Sequence, residues 1–285
     1  MAEVEELEIT TGEMTFRALA AGPDGGRLVL LLHGFPQTSR SWLATLDALA
    51  GAGYRAVAFD QRGYSPGARP QPVEHYAMAH LVADVIAVAD DIGGHEFDLV
   101  GHDWGGAVAW HVAGQYASRV RSLTVVSTPH PAAFRRALSG ELGGDQPQRS
   151  WYMEFFQKPD EPEQVLLGDG GAALRSLYTG VPDDAVDHYV SELSQPGALT
   201  AALNYYRAVP LGPPPQTEPI TSPTLYVWST DDVALGREAA EATADHVRGP
   251  YRFEVLDGVS HWIPEAAPDQ LNRLLLDHLQ PASGS

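Results

Sequence analysis

A glycine-flanked aspartate interrupts an apolar run near residue 100 of this 285-residue chain. The run Phe97–Val100 is typical of a buried strand, and the small residues from Ala107 to Tyr116 are typical of a helix. Between them, Gly101-x-Asp103-x-Gly105 matches the strained strand-to-helix turn written G-x-S-x-G, in which side chains at the glycines would collide with backbone. A carboxylate in place of serine attacks carbon and forms an alkyl ester. We therefore interpret Asp103 as a nucleophile, the alternative being an ordinary N-cap aspartate.

Strand-like and helix-like segments alternate along most of the chain. This alternation predicts an α/β fold with a mostly parallel central sheet flanked by helices. The strand patterns stop between residues 131 and 217, where aromatic-rich helices and loops predict an inserted helical cap ending in a stiff proline-rich linker, Pro210–Pro215. The predicted domains are thus residues 1–130 and 218–285, two parts of one core, and the cap at 131–217.

The proposed nucleophile is followed along the chain by an acid and then a histidine. Asp232 follows a predicted strand, and His261 lies in the loop Gly258–Trp262. The order nucleophile, acid, histidine is that of the catalytic triad of α/β hydrolases, and ligands of parallel sheets bind beyond the carboxyl ends of the strands. We expect His261, oriented by Asp232, to activate the water that cleaves the ester. Asp231 is the competing candidate for the acid.

The loop His33–Pro36 also follows a predicted buried strand. In this position the same fold supplies an N–H group to the oxyanion hole, so we assign that role to the backbone N–H groups of Phe35 and Trp104. The bond between Phe35 and Pro36 is a candidate cis peptide. A literal G-x-S-x-G at Gly63–Gly67 is interpreted as a structural loop, because Pro66 removes the N–H group that an oxyanion hole would use.

Composition excludes several other classes of function. The formal net charge of −19 leaves few cations for nucleic acid or an anionic membrane. The sequence has no cysteine, which excludes thiolate chemistry, and no apolar run of about 20 residues that would span a membrane. The acidic start has no signal-peptide pattern, so a cytoplasmic location is expected.

The motifs His33–Pro36, Gly101–Gly106 and Gly258–Trp262 resemble those of the α/β-hydrolase superfamily and, within it, the epoxide hydrolases. The resemblance covers essentially the whole chain. It implies hydrolysis of an epoxide to a vicinal diol, with no metal or organic cofactor. It also implies that two cap tyrosines protonate the epoxide oxygen, and by family pattern these are Tyr152 and Tyr206, with Tyr205 as the competitor for the second.

The expected partner is a small-molecule epoxide of apolar or aromatic character, because four apolar side chains are expected to shape the pocket. They are Trp151, Met153, Phe155 and Phe156. One alternative is a haloalkane dehalogenase, in which Trp104 would supply a halide-binding N–H group. The cap tyrosine pair disfavours this alternative, because a dehalogenase binds halide with N–H donors. The other alternative is a non-catalytic binding protein on the same fold.

Overall fold

The computed structural model describes residues 2–212 and 219–280. Within them, eight strands form one sheet in the order β1-β2-β4-β3-β5-β6-β7-β8, in which β2 is antiparallel to both its neighbours and all other pairs are parallel. The predicted α/β fold is therefore confirmed. The strands are β1 Val4–Thr11, β2 Met14–Ala21, β3 Leu28–Leu32, β4 Arg55–Phe59, β5 Phe97–His102, β6 Val120–Val126, β7 Thr224–Asp231 and β8 Tyr251–Ser260.

Helices cover both faces of this sheet and also fill the insertion between β6 and β7. The helices of the core are α1 Leu43–Gly51, α2 Met78–Asp91, α3 Trp104–Gln115, α10 Arg237–Ala242, α11 Ile263–Ala266 and α12 Pro268–Leu279. Those of the insertion are α4 Pro131–Leu138, α5 Gln146–Arg149, α6 Trp151–Gln157, α7 Glu161–Arg175, α8 Asp183–Leu193 and α9 Ala198–Ala208. Short 3-10 turns lie at Ser39–Trp42, Pro66–Ala68, Val73–Tyr76, Val209–Leu211 and Thr243–His246.

The two faces of the sheet bury separate apolar clusters because side chains alternate along each strand. In β3, Val29 and Leu31 point to the cluster shared with α1 and α12, whereas Leu30 and Leu32 point to the cluster shared with α2 and α3. The second cluster continues into the insertion through side chains of α6 to α9. The insertion therefore packs on the carboxyl edge of the sheet as part of the same apolar core.

Some predicted boundaries differ from the structure. The predicted helix from Ala107 begins at Trp104, because α3 follows Asp103 with no linker. The sequence pattern predicts one helix over Arg237–Val247, but the α-helix ends at Ala242 and the chain continues as a 3-10 turn. The sequence pattern predicts the last strand over Arg252–Leu256, but it extends to Ser260 because it keeps pairing with β7 beyond a bulge. Residues 213–215 of the predicted linker, and the predicted cap boundary at 217, lie outside the described residues.

None of the helices within residues 2–212 and 219–280 has both the length and the apolar character that crossing a bilayer requires.

Candidate active site

Asp103 lies at the tight turn between β5 and α3. Its backbone has φ 50° and ψ −120°. Residues other than glycine rarely adopt this conformation, which costs about 1–3 kcal/mol. The flanking glycines allow the turn: a Cβ at Gly101 would overlap the Gly105 carbonyl, and a Cβ at Gly105 would overlap that of Leu32. The Thr128 hydroxyl donates to the Asp103 carbonyl at 2.8 Å. The turn thus holds the carboxylate above the carboxyl edge of the sheet.

The two oxygens of the Asp103 carboxylate have different surroundings. Oδ1 accepts a hydrogen bond from the backbone N–H of Phe35 at 2.7 Å, and the neighbouring backbone N–H of Trp104 further stabilises the charged carboxylate. The Phe35–Pro36 bond is cis. Oδ2 lies 3.7 Å from Nε2 of His261. Burial alone would raise the pKa of Asp103, but His261 and the Trp104 N–H lower it below its ordinary value. Asp103 is therefore ionised, and Oδ2 is the oxygen that faces the His261 ring.

His261 is held by Asp232 on the side away from Asp103. Its Nδ1 lies 2.8 Å from Asp232 Oδ2, while Asp232 Oδ1 accepts from the N–H groups of Ala234 at 2.8 Å and Leu235 at 2.9 Å. Asp231 is exposed at the end of β7, where the Thr230 hydroxyl lies 3.4 Å from its carboxylate. Of the two adjacent acids, Asp232 is the one that faces His261.

The two carboxylates control the charge of His261. Burial lowers the pKa of this imidazole, but the charges of Asp232 and Asp103 on either side raise it, and the net result is a pKa of about 10. His261 is therefore an imidazolium while Asp103 is a free carboxylate. Any reaction that neutralises Asp103 removes one of the two charges that hold this proton.

Two cap tyrosines lie near the Asp103 carboxylate. Tyr152 is on α6 and Tyr206 on α9, with ring centroids 6.1 Å apart, and the Tyr206 ring is 5.2 Å from Trp104. Burial and then the Asp103 charge raise the pKa of both phenols, so they keep their protons at neutral pH. The Tyr205 hydroxyl instead donates to the Arg62 carbonyl at 2.8 Å. Tyr206, not Tyr205, therefore accompanies Tyr152.

Apolar side chains of α6 pack beside the rings of Tyr152 and Tyr206, except that of Trp151. Phe156 is buried, with its ring 5.2 Å from Phe35 and 5.1 Å from Tyr206, and Met153 and Phe155 are half-buried against the same cluster. Trp151 was also expected to line the pocket, but its side chain is 68% exposed. Consecutive residues of a helix point about 100° apart, so the helix that turns Tyr152 inward turns Trp151 toward solvent.

Comparison with known proteins identifies the family of this chain. The model of the alpha/beta hydrolase fold family matches residues 27–268. The chain belongs to the alpha/beta hydrolase fold family. It is 34% identical to Epoxide hydrolase 4 of Mus musculus, over 94% of this chain and 77% of that protein. It is also 34% identical to AB hydrolase superfamily protein YfhM of Bacillus subtilis, over 95% and 96%. The crystal structure of Epoxide Hydrolase A from Mycobacterium thermoresistibile superposes with a TM-score of 0.83, at 30% identity over 97% and 98%.

The backbone of His261 in this hydrolase is held by residues that sequence reasoning did not assign to the site. The His261 carbonyl accepts from the Ser127 hydroxyl at 3.0 Å and from Nε2 of His102 at 2.9 Å. Burial and the charge of His261 lower the pKa of His102 to about 4, so this ring is neutral. Its Nδ1 lies 3.0 Å from the Gln37 amide. Ser127 has φ 67°, but nothing in its local sequence signals that strained conformation.

The second G-x-S-x-G match of this hydrolase is structural. Ser65 is buried. Its hydroxyl donates to the Asp60 carbonyl at 2.6 Å and accepts from the backbone N–H of Arg17 at 2.9 Å. Both hydrogen bonds fix the loop after β4. In the part of the chain that the structure describes, no group of three or more histidine, aspartate or glutamate side chains is arranged to hold a metal ion.

Proposed function

We propose that this hydrolase adds water to an epoxide and releases a vicinal diol, through an ester formed on Asp103. One observation carries the proposal: an ionised carboxylate lies beside a histidine–aspartate pair and close enough to two protonated tyrosines for its charge to raise their pKa values. An epoxide bound in this site would have its carbon at the carboxylate and its oxygen at the phenols.

The first step opens the ring. Asp103 Oδ2 attacks an epoxide carbon, the carbon–oxygen bond breaks, and the electron pair goes to the epoxide oxygen. Tyr152 or Tyr206 donates its proton to that oxygen as the charge develops. Their raised pKa values keep both phenols protonated before the reaction, and an alkoxide is basic enough to take a phenol proton.

The second step hydrolyses the ester. Esterification removes the negative charge of Asp103, and with it one cause of the raised pKa of His261, so the imidazolium gives up its proton more readily, to solvent or to the phenolate that ring opening leaves. Neutral His261 then accepts a proton from a water molecule that attacks the ester carbonyl. The intermediate collapses by breaking the bond between the carbonyl carbon and the alkyl oxygen, and His261 gives its proton to the departing alkoxide, which leaves as the diol. The carboxylic acid formed on Asp103 then loses its proton to His261, which restores the starting charges of both groups. The Phe35 N–H already bonds the Asp103 carboxylate, and the Trp104 N–H stabilises its charge, so both would stabilise the oxyanion of the tetrahedral intermediate.

We further infer that the preferred epoxides are apolar or aromatic. The rings of Phe35, Phe156 and Tyr206 pack within about 5 Å of one another beside the carboxylate. Such a wall offers apolar contact area to the part of the substrate that does not react.

The test is the mass of a trapped intermediate. His261→Gln keeps the attack by Asp103 but removes the base, so the ester accumulates. Exposed to a mixed panel of epoxides and haloalkanes, this variant should gain the mass of a whole epoxide, and peptide mapping should place it on Asp103. A gain equal to a haloalkane minus hydrogen halide would indicate a dehalogenase instead. Turnover by the wild type with no adduct on the variant would contradict an ester on Asp103.

A further inference from the structure

Gln146 is the first residue of α5 in the cap, and its buried side chain contacts the loop that follows β7. It is 1% exposed. Its Nε2 donates to the Ala234 carbonyl at 2.8 Å and to the Ser150 hydroxyl at 2.9 Å, and its Oε1 accepts from the Gly236 N–H at 2.7 Å. Because a carbonyl only accepts and a backbone N–H only donates, these partners fix the orientation of the amide. Both donor hydrogens of this side chain are used.

The Ala234–Leu235 peptide group connects Gln146 to the triad acid. Its carbonyl accepts from Gln146, and its N–H donates to Asp232 Oδ1 at 2.9 Å. In a planar trans peptide these two groups point in opposite directions, so a partner on each side fixes the peptide plane. Asp232 Oδ2 then bonds Nδ1 of His261 at 2.8 Å. An unbroken series of hydrogen bonds therefore runs from the cap to the catalytic histidine.

The same Gln146 amide also reaches the helix that carries Tyr152. The Ser150 hydroxyl, its second acceptor, belongs to the residue just before α6, and Tyr152 is the second residue of that helix. One side chain thus contacts the start of the tyrosine helix and the peptide group that orients Asp232. The neighbouring Arg149 adds a hydrogen bond from its guanidinium to the Asp232 carbonyl.

We propose that Gln146 is a positioning residue that sets the orientation of Asp232, and through it His261, from the cap. Its effect falls on ester hydrolysis, the step that uses the His261–Asp232 pair. This consequence rests on the proposed function. The hydrogen-bond series itself does not, so it can be tested separately.

The principal variant is Gln146→Met, which keeps the length of the side chain and removes its hydrogen bonds. The matched control is Gln148→Met, the same substitution at an exposed position of the same helix. With an epoxide that the wild type turns over, we expect Gln146→Met to slow ester hydrolysis on the order of ten- to a hundredfold. The ester on Asp103 should then accumulate during turnover, as measured by intact mass, whereas Gln148→Met should match the wild type.

A spectroscopic readout needs no substrate. The proton that His261 Nδ1 shares with Asp232 should shift upfield in the NMR spectrum of Gln146→Met, because that hydrogen bond weakens, and should not move in Gln148→Met. Ser150→Ala cuts only the arm toward α6, so it should leave both this proton and the hydrolysis rate unchanged. If Gln146→Met does not fold, Gln146→Asn keeps a buried amide that is too short to reach its partners on both Ala234 and Gly236, and the same changes are expected.

A lower melting temperature with an unchanged Nδ1 proton and no accumulated ester would show that Gln146 is only structural, and would overturn the inference. If the wild type forms no ester with any epoxide, the proposed function fails, and the NMR comparison still decides the role of Gln146.

Discussion

The core side and the cap side of the site are built in different ways. On the core side, Phe35, Asp103, Asp232 and His261 each lie one to three residues beyond the end of a strand, and hydrogen bonds of 2.7–2.9 Å fix their positions. On the cap side, Tyr152 and Tyr206 are placed by aromatic packing, with ring centroids 5–6 Å apart. Hydrogen-bonded turns define atomic positions more narrowly than ring packing does. Substitutions on the core side should therefore have the larger effects.

The largest effect is expected at the nucleophile. Asp103→Ala should reduce epoxide turnover on the order of 10⁴-fold or more and abolish ester formation, because no other group performs the attack. Ser65→Ala is the control, since this serine occupies the competing G-x-S-x-G match. It should keep turnover and lose only stability, about 1–3 kcal/mol in the free energy of unfolding, from the unmade hydrogen bonds. Loss of activity in Ser65→Ala alone would contradict the assignment.

The next effect separates the two adjacent acids. Asp232→Asn should slow ester hydrolysis on the order of 10²- to 10⁴-fold, because an amide no longer stabilises the imidazolium or fixes its tautomer. Asp231→Asn, at the exposed neighbour, should stay close to the wild type. Single-turnover kinetics that resolve ester formation from ester breakdown provide the measurement. Equal losses in both variants would mean that the hydrogen bond from His261 to Asp232 does not organise the triad.

Smaller effects are expected on the cap side. Tyr152→Phe and Tyr206→Phe should each slow ester formation about ten- to a hundredfold, because one phenol remains to protonate the epoxide oxygen, and the double variant should lose more than either. Ester breakdown should change little. Tyr205→Phe is the matched control, because the Tyr205 hydroxyl donates to the Arg62 carbonyl and not to the site. This variant should keep full activity and lose about 1 kcal/mol in the free energy of unfolding. A Tyr205 effect on ester formation as large as that of Tyr206 would reverse the assignment.

The difference between hydrogen-bonded turns on the core side and ring packing on the cap side also explains which site residues the sequence could predict. The turn around Asp103 needs glycines, and a cis peptide needs proline, so the core side leaves a local pattern that can be found without a structure. The cap side leaves none: Trp151 and Tyr152 are both aromatic neighbours in a cap helix, and only the packing of α6 shows which of them faces inward. Gln146 and Ser127 could not be predicted at all, because their partners are distant in the sequence.

The smallest effect is expected from a test of whether the charge of Asp103 controls the pKa of His261. The Asp103 charge helps to raise the pKa of His261 to about 10, so Asp103→Asn, which copies the loss of charge on esterification, should lower that pKa toward its ordinary value of 6.5. Asp232 still raises the pKa, so the shift should be partial. NMR titration of the His261 ring is the measurement, and Tyr152→Phe, which leaves both carboxylates in place, is the control. An unchanged pKa in Asp103→Asn would mean that ester formation does not release the base, and that hydrolysis of the ester needs another trigger.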